Sequence, residues 1–116
     1  MTYTELNHYL LSKKCVTFDY PFDESVRVYR VFDKIFALLV DQLPLKINLK
    51  CDPCYAMELR SLYTHIQAGY HMNKKHWNTV EANGDVDDLL LCELIDHSYE
   101  SVVAGLTKKQ RKSLED

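Results

Sequence analysis

"VRVYRVFDKIFALLVDQLPLKINLK" (Val26–Lys50) decides the fold class. Over 26–32 the side chains fall into two phases, Val26, Val28 and Arg30 against Arg27, Tyr29 and Val31. That is the period of a strand, whose successive side chains point to opposite faces. Asp33-Lys34 turns the chain into "IFALLV" (35–40), a continuous apolar run that predicts a strand central in a sheet and covered by helices on one face. After Pro44 the alternation resumes in "LKINLK". Leu45, Ile47 and Leu49 take one face, and Lys46, Asn48 and Lys50 a solvated one. Links this short between consecutive strands favour antiparallel pairing.

Helical signals flank this stretch. Thr2 with Glu5 is a capping box ahead of Leu6 and Leu10, predicting a helix over 3–13. "VTFDYPF" (16–22) is β-branched and aromatic and reads as a strand closed by a turn. In "CDPCYAMELRSLY" Asp52 is placed as N-cap and Pro53 as first helical residue, where a missing N–H costs nothing; this helix runs to about Tyr63. Strands are expected over 66–72 and 76–82, with Asn83-Gly84 as a turn. From Asp87, the residues Leu91, Ile95, Tyr99, Val102 and Leu106 form an apolar stripe, and Gly105 sits where a helix ends. Thr107 and Gln110 cap a last, basic helix through "KKQRK". The order implies an α+β two-layer domain spanning 1–116, with helices packed on one face of an antiparallel sheet.

At 116 residues, 47% hydrophobic and 27% charged, the composition is ordinary for one globular domain. Such a chain buries about two-thirds of its unfolded surface, so stability requires no disulfide, metal or cofactor. No apolar run approaches the roughly 20 residues of a membrane span, and the N-terminus has neither a basic leader nor an apolar core. The expectation is a cytoplasmic protein, monomeric by default, with reduced cysteines. The net charge of -3 is unevenly spread: residues 26–80 hold eight Lys or Arg against four acids, and 81–106 hold seven acids and no Lys or Arg. A basic face with an acidic back is compatible with that pattern.

Three constellations carry chemistry on paper. Cys51 and Cys54 form a CxxC at a helix start, where the dipole favours thiolate, but Cys51 precedes the cap and fits a buried structural thiol, and zinc lacks a second close pair. Asp96-His97-Ser98 has the ingredients of a triad, yet adjacent helical residues point about 100° apart and cannot align. With three glycines and no phosphate loop or paired carboxylates, catalysis is not expected. "GYHMNKKHWNTV" (69–80) has two readings. In one, Trp77 is buried core at a strand start and Asn73, Lys74 and Lys75 make a solvated turn. In the other, Tyr70, His71 and His76 beside Lys74 and Lys75, with Lys46, Lys50 and Arg60 near, combine phosphate contact with stacking.

"LKCDP" (49–53), "GYHMNKKHWNTV" and "IDHSY" (95–99), in this order and spacing, resemble the MmcQ/YjbR family of small bacterial proteins over nearly the whole chain. The pattern is matched at Lys50, Asp52, Pro53, Gly69, His71, Asn73, Lys74, His76, Trp77, Ser98 and Tyr99; Cys54 departs from it. The resemblance implies a compact domain whose sheet and projecting hairpins form a double-wing DNA-binding arrangement. The resulting expectation is a non-enzymatic nucleic-acid-binding protein. Lys46, Lys50, Lys74 and Lys75 would meet phosphates, with Tyr70, His71 and His76 beside them. The alternatives are a protein-interaction module using the sheet face or the acidic 81–100 segment, and a small-molecule site beneath Trp77.

Overall fold

A computed structural model of the chain describes residues 1–69 and 72–115. The elements run α1 (Tyr3–Leu11), β1 (Val16–Asp19), β2 (Val26–Val31), β3 (Lys34–Val40), β4 (Lys46–Lys50), α2 (Pro53–Leu62), β5 (Ile66–Ala68), β6 (Trp77–Glu81), α3 (Asp88–Ala104) and α4 (Lys108–Glu115). The caps are the ones the sequence encodes. Thr2 and Glu5 bond each other's backbone N–H, Asp52 accepts from the Tyr55 N–H, and Asp87 accepts from the Leu90 N–H. Gln110 and Thr107 close a second capping box ahead of α4.

The strands form one antiparallel sheet in the order β1-β2-β3-β4-β6-β5. The inward phase is that of Tyr29, Val31, Ala37, Leu39, Ile47, Leu49, Ile66 and Val80, which join Leu6 and Leu10 of α1, Ala56 and Leu59 of α2, and Leu91, Ile95 and Val102 of α3 in one core. The α+β, two-layer expectation is therefore what the chain adopts. β2 and β3 are apolar on both sides, because Val28 and its cross-strand partner Leu38 are also buried on the helix-free face. That accounts for the unbroken apolar run in β3.

A bulge interrupts β2–β3: Tyr29 pairs with Ala37 and Arg30 with Ile35, leaving Phe36 as the extra residue. The inserted residue turns the Phe36 ring into the helical layer, where it packs edge-to-face on Tyr99 at 5.5 Å between centroids. Ser98, fully buried on α3, follows the same irregularity. Its hydroxyl accepts the Lys50 N–H at 2.9 Å and donates to the Phe36 carbonyl. The β3–β4 ladder ends at Ala37–Leu49, and Phe36–Lys50 would be the next pair, so the hydroxyl stands in for a missing rung.

Two expectations are corrected. The strand foreseen over 66–72 ends at Ala68, and Tyr70 and His71 lie outside the described residues. Trp77 is not core: it is half-buried in the outward phase of β6, and Asn78 takes the inward place. Asn78 can be buried because its amide accepts from Arg60 Nε at 2.7 Å and donates to the Ala56 carbonyl. Val80, two residues on, fixes that phase.

Candidate nucleic-acid interface

Consecutive antiparallel strands reverse direction, so the connections of this sheet gather at two opposite ends. At one end lie the β1–β2 loop, the β3–β4 loop, the link from α2 to β5 and the link from β6 to α3. These segments hold Asp23, Glu24, Asp41, Asp85 and Asp87 and no lysine or arginine. At the other end lie the α1–β1 link, the β2–β3 turn, the link from β4 to α2, the loop before β6 and the end of α3. There, the connections hold Lys13, Lys14, Lys74 and Lys75 against Asp33 and Asp52, and the strand-end residues Lys34 and Lys50 lie beside them, as Lys46 does at the first end. The basic helix α4 follows directly, its Leu114 carbonyl bonded to Lys14 Nζ at 2.9 Å. The fold has sorted the charges along the strand direction.

The "GYHMNKKHWNTV" stretch is, in its described residues, the framework of one of these basic loops. The Gly69 N–H bonds the Trp77 carbonyl at 2.8 Å, and the Asn73 carbonyl receives the His76 and Trp77 N–H groups. Asn73 Oδ1 accepts from the Lys75 N–H, and Arg60 of α2 donates to the Lys74 carbonyl. The His76 carbonyl receives the Cys51 N–H at 2.7 Å. Gly69 has no room for a side chain, since a Cβ there would lie 2.9 Å from Trp77 Cβ and 3.1 Å from its carbonyl oxygen. Gly69, Asn73, His76 and Trp77 thus hold the loop, leaving the Lys74 and Lys75 side chains exposed.

Beside them, Arg30, Asp33, Lys34, Ile35 and Lys50 line a groove of about 450 Å3 with Ser101, Val102 and Gly105 at the end of α3. Arg30 is partly compensated, donating to Asp19 at 3.0 Å and to the Asp33 carbonyl. Lys34, Lys50, Lys74 and Lys75 have no ion pair among the described residues. α3 has no basic residue of its own in its last turn, so the cations near its C-terminus also offset its dipole.

Of the residues singled out from sequence, the structure gathers Lys50, Lys74, Lys75 and His76 at this end and separates Lys46. Lys46 starts β4 and pairs across the sheet with Glu81, four residues from Lys50. Arg30 and Lys34 were missed. Their signal was the β2–β3 turn itself, which returns the chain to the end where β4 finishes.

Three consecutive α3 residues attach this end to the core. His97 Nε2 accepts the Asp52 N–H at 3.2 Å, Ser98 holds Lys50 and Phe36, and the Tyr99 hydroxyl donates to the Lys14 carbonyl at 2.7 Å. Asp96, one position earlier, accepts from the Tyr9 hydroxyl and pairs with Lys13. Four neighbours that share no partner are what a 100° step per residue produces. Cys51 is buried, and burial, reinforced by Asp52 and opposed by Arg60, pushes its thiol up to about 11, while Cys54 is exposed. Among the described residues no group of three His, Cys, Asp or Glu side chains could hold a metal ion. No helix among them is long and apolar enough to cross a membrane.

A six-stranded antiparallel sheet with helices on one face, and with Lys34, Lys50, Lys74 and Lys75 at one of its ends, defines a two-layer α+β protein. Two solved structures share that architecture. A Deinococcus radiodurans protein, DR2400, with a DUF419 family domain, superimposes with a TM-score of 0.90 at 38% identity, over 98% of this chain and 88% of that one. A Pseudomonas syringae protein gives 0.77 at 29% identity, over 87% and 98% of the two chains. The protein named YbdF of Escherichia coli O157:H7 is 38% identical over 94 residues, 80% of this chain and 77% of its own length. YjbR of Escherichia coli strain K12 is 32% identical over 116 residues, 98% of each chain. Both are described as uncharacterized proteins. The YjbR family model matches residues 11–101, and the chain belongs to the YjbR family.

Proposed function

We propose that this chain is a non-enzymatic, cytoplasmic nucleic-acid-binding protein that meets phosphates with the basic end of its sheet. The observation that carries the reading is the sorting of charge. A net charge of -3 opposes binding only if the acids share the surface that meets the polyanion. At about 3.3 Å per residue, Lys46 to Lys50 alone covers roughly 13 Å, and the loops extend the separation at both ends. That exceeds the screening length of about 8 Å at physiological ionic strength. The basic end therefore presents its own field. In the double-wing arrangement that the resemblance implies, the β2–β3 turn and the loop before β6 would be the projecting parts.

The acidic alternative has less to work with. Of the seven acids in 81–100, Glu81 and Asp85 hold His65, Asp87 caps α3, Asp88 pairs with the N-terminal amine, and Asp96 holds Lys13. The non-enzymatic reading rests on the separate partners of Asp96, His97 and Ser98.

The test is fluorescence anisotropy with labelled single- and double-stranded DNA and RNA across salt. If Lys34, Lys50, Lys74 and Lys75 each neutralise one phosphate, affinity falls by about 150-fold on duplex DNA, or about 50-fold on a single strand, between 50 and 200 mM salt. Lys74→Ala with Lys75→Ala should weaken binding and halve the salt slope, and Lys46→Ala should change neither. No binding at 50 mM salt, or wild-type affinity in the double variant, would overturn the reading.

A further inference from the structure

The helix-free face of the sheet carries a second feature, a concavity of about 660 Å3. Strand register builds its floor. Leu38, Asn48, Thr79 and Gln67 are successive cross-strand neighbours, and Val26, Val40 and Lys46 form the adjoining row. Phe22 of the β1–β2 loop and Met72 before β6 stand at its sides. The volume lies within the roughly 300–1,000 Å3 of small-ligand sites. Nothing in the nucleic-acid reading uses it.

Its chemistry is one-sided. Val26, Leu38, Val40 and Phe22 supply apolar wall, and among the described residues Lys46 is the single charged one of the lining. The acid opposite Lys46 is turned to another partner: Glu81 Oε2 lies 3.2 Å from His65 Nε2, and Asp85 holds the other ring nitrogen at 2.8 Å. Lys46 has no ion pair among the described residues. The Thr79 hydroxyl donates to Asn48 Oδ1, which fixes that amide so that its NH2 group is the end offered as donor. Asp23, Glu24 and Asp41 belong to the same end of the sheet but line no part of the concavity. An uncompensated ammonium and an amide donor beside an apolar wall recognise an acceptor anion carried on an apolar body.

We propose that this concavity binds a small organic carboxylic acid with an aliphatic or aromatic body, its carboxylate on Lys46 and Asn48 and its body against Val26, Leu38, Val40 and Phe22. The experiment titrates octanoate, octanol and octylamine, equal in chain length and different in head group, into the full chain. Methyl NMR resonances of Val26, Leu38, Val40 and Met72 report binding. Octanoate should shift these resonances at a Kd about tenfold or more below that of octanol, and octylamine should leave them in place. Lys46→Met should bring octanoate to the level of octanol while octanol binding persists, which shows that the concavity is intact; Lys46→Gln repeats the test with a polar side chain. Three outcomes would overturn the proposal: no shift with any of the three at millimolar concentration, equal response to all three, or an undiminished preference for octanoate in both Lys46 variants.

Discussion

Replacing Ser98 with alanine removes one oxygen atom and should cost far more than its volume implies. The residue is fully buried, and its hydroxyl is bonded at once to the Lys50 N–H and the Phe36 carbonyl across the gap left by the β-bulge. Alanine leaves almost no cavity. The cost is two backbone groups deprived of their partner, at about 1–3 kcal/mol each for a buried orphan. Part of this returns if the groups draw together, so the expected loss is about 2–4 kcal/mol, a fall in Tm of roughly 8–15 °C for a chain of this size. Urea denaturation at unchanged m-value measures it, and hydrogen exchange at the Lys50 amide should accelerate more than at Ile47. Ser101→Ala, which removes only a bond to the His97 carbonyl of its own helix, should stay within about 0.5 kcal/mol. A Ser98→Ala loss no larger than that would mean the two strands close directly on each other, and the hydroxyl is not a rung.

Gly69→Ala should destabilise by about 1–3 kcal/mol in the same urea assay, because the new methyl meets the Trp77 Cβ and backbone and not a movable side-chain tip. With iodoacetamide at pH 8, mass spectrometry should find Cys15 and Cys54 modified well before Cys51, whose burial both shields it and holds its thiol near 11. Asp85 gives a pH signature. Desolvation works to raise its carboxyl, but the bonds from His65 and from the Thr64 and His65 N–H groups outweigh it, and the folded value lies below the ordinary 3.8. A depressed carboxyl stabilises above its unfolded pKa and loses that contribution as pH falls through the folded one. Stability of the wild type should therefore drop more steeply below about pH 4 than that of Asp85→Asn, and parallel acid-denaturation curves would refute the assignment.

Much of the fold was legible because capping pairs and hydrophobic period act locally. Thr2 with Glu5, Asp52 with Pro53, and the stripe from Leu91 to Leu106 each specify a helix without knowledge of the rest. Trp77 was misread because size and apolarity favour burial, while the phase of β6 is set by Val80 and by the partners Asn78 finds on α2. The 66–72 strand was drawn too long because composition does not show where pairing to β6 stops. The candidate interface was legible as residue types and illegible as a surface. Lys46 and Lys50 share a strand face, so side-chain period groups them, yet they stand at opposite ends of β4. Lys34 and Lys74, forty residues apart, meet at one end because of strand direction, which is known only once the pairing order is known.

The attachment of three separate segments to His97, Ser98 and Tyr99 makes α3 act as a template for the basic end of the sheet. Its angular setting fixes where the ends of α1, β3 and β4 come to rest, all at once. A substitution there would scatter the lysines without touching any of them. Under the proposed nucleic-acid reading, loss of binding in such a variant would be a defect of alignment, and a genetic screen for binding mutants should return the α3 positions His97, Ser98 and Tyr99.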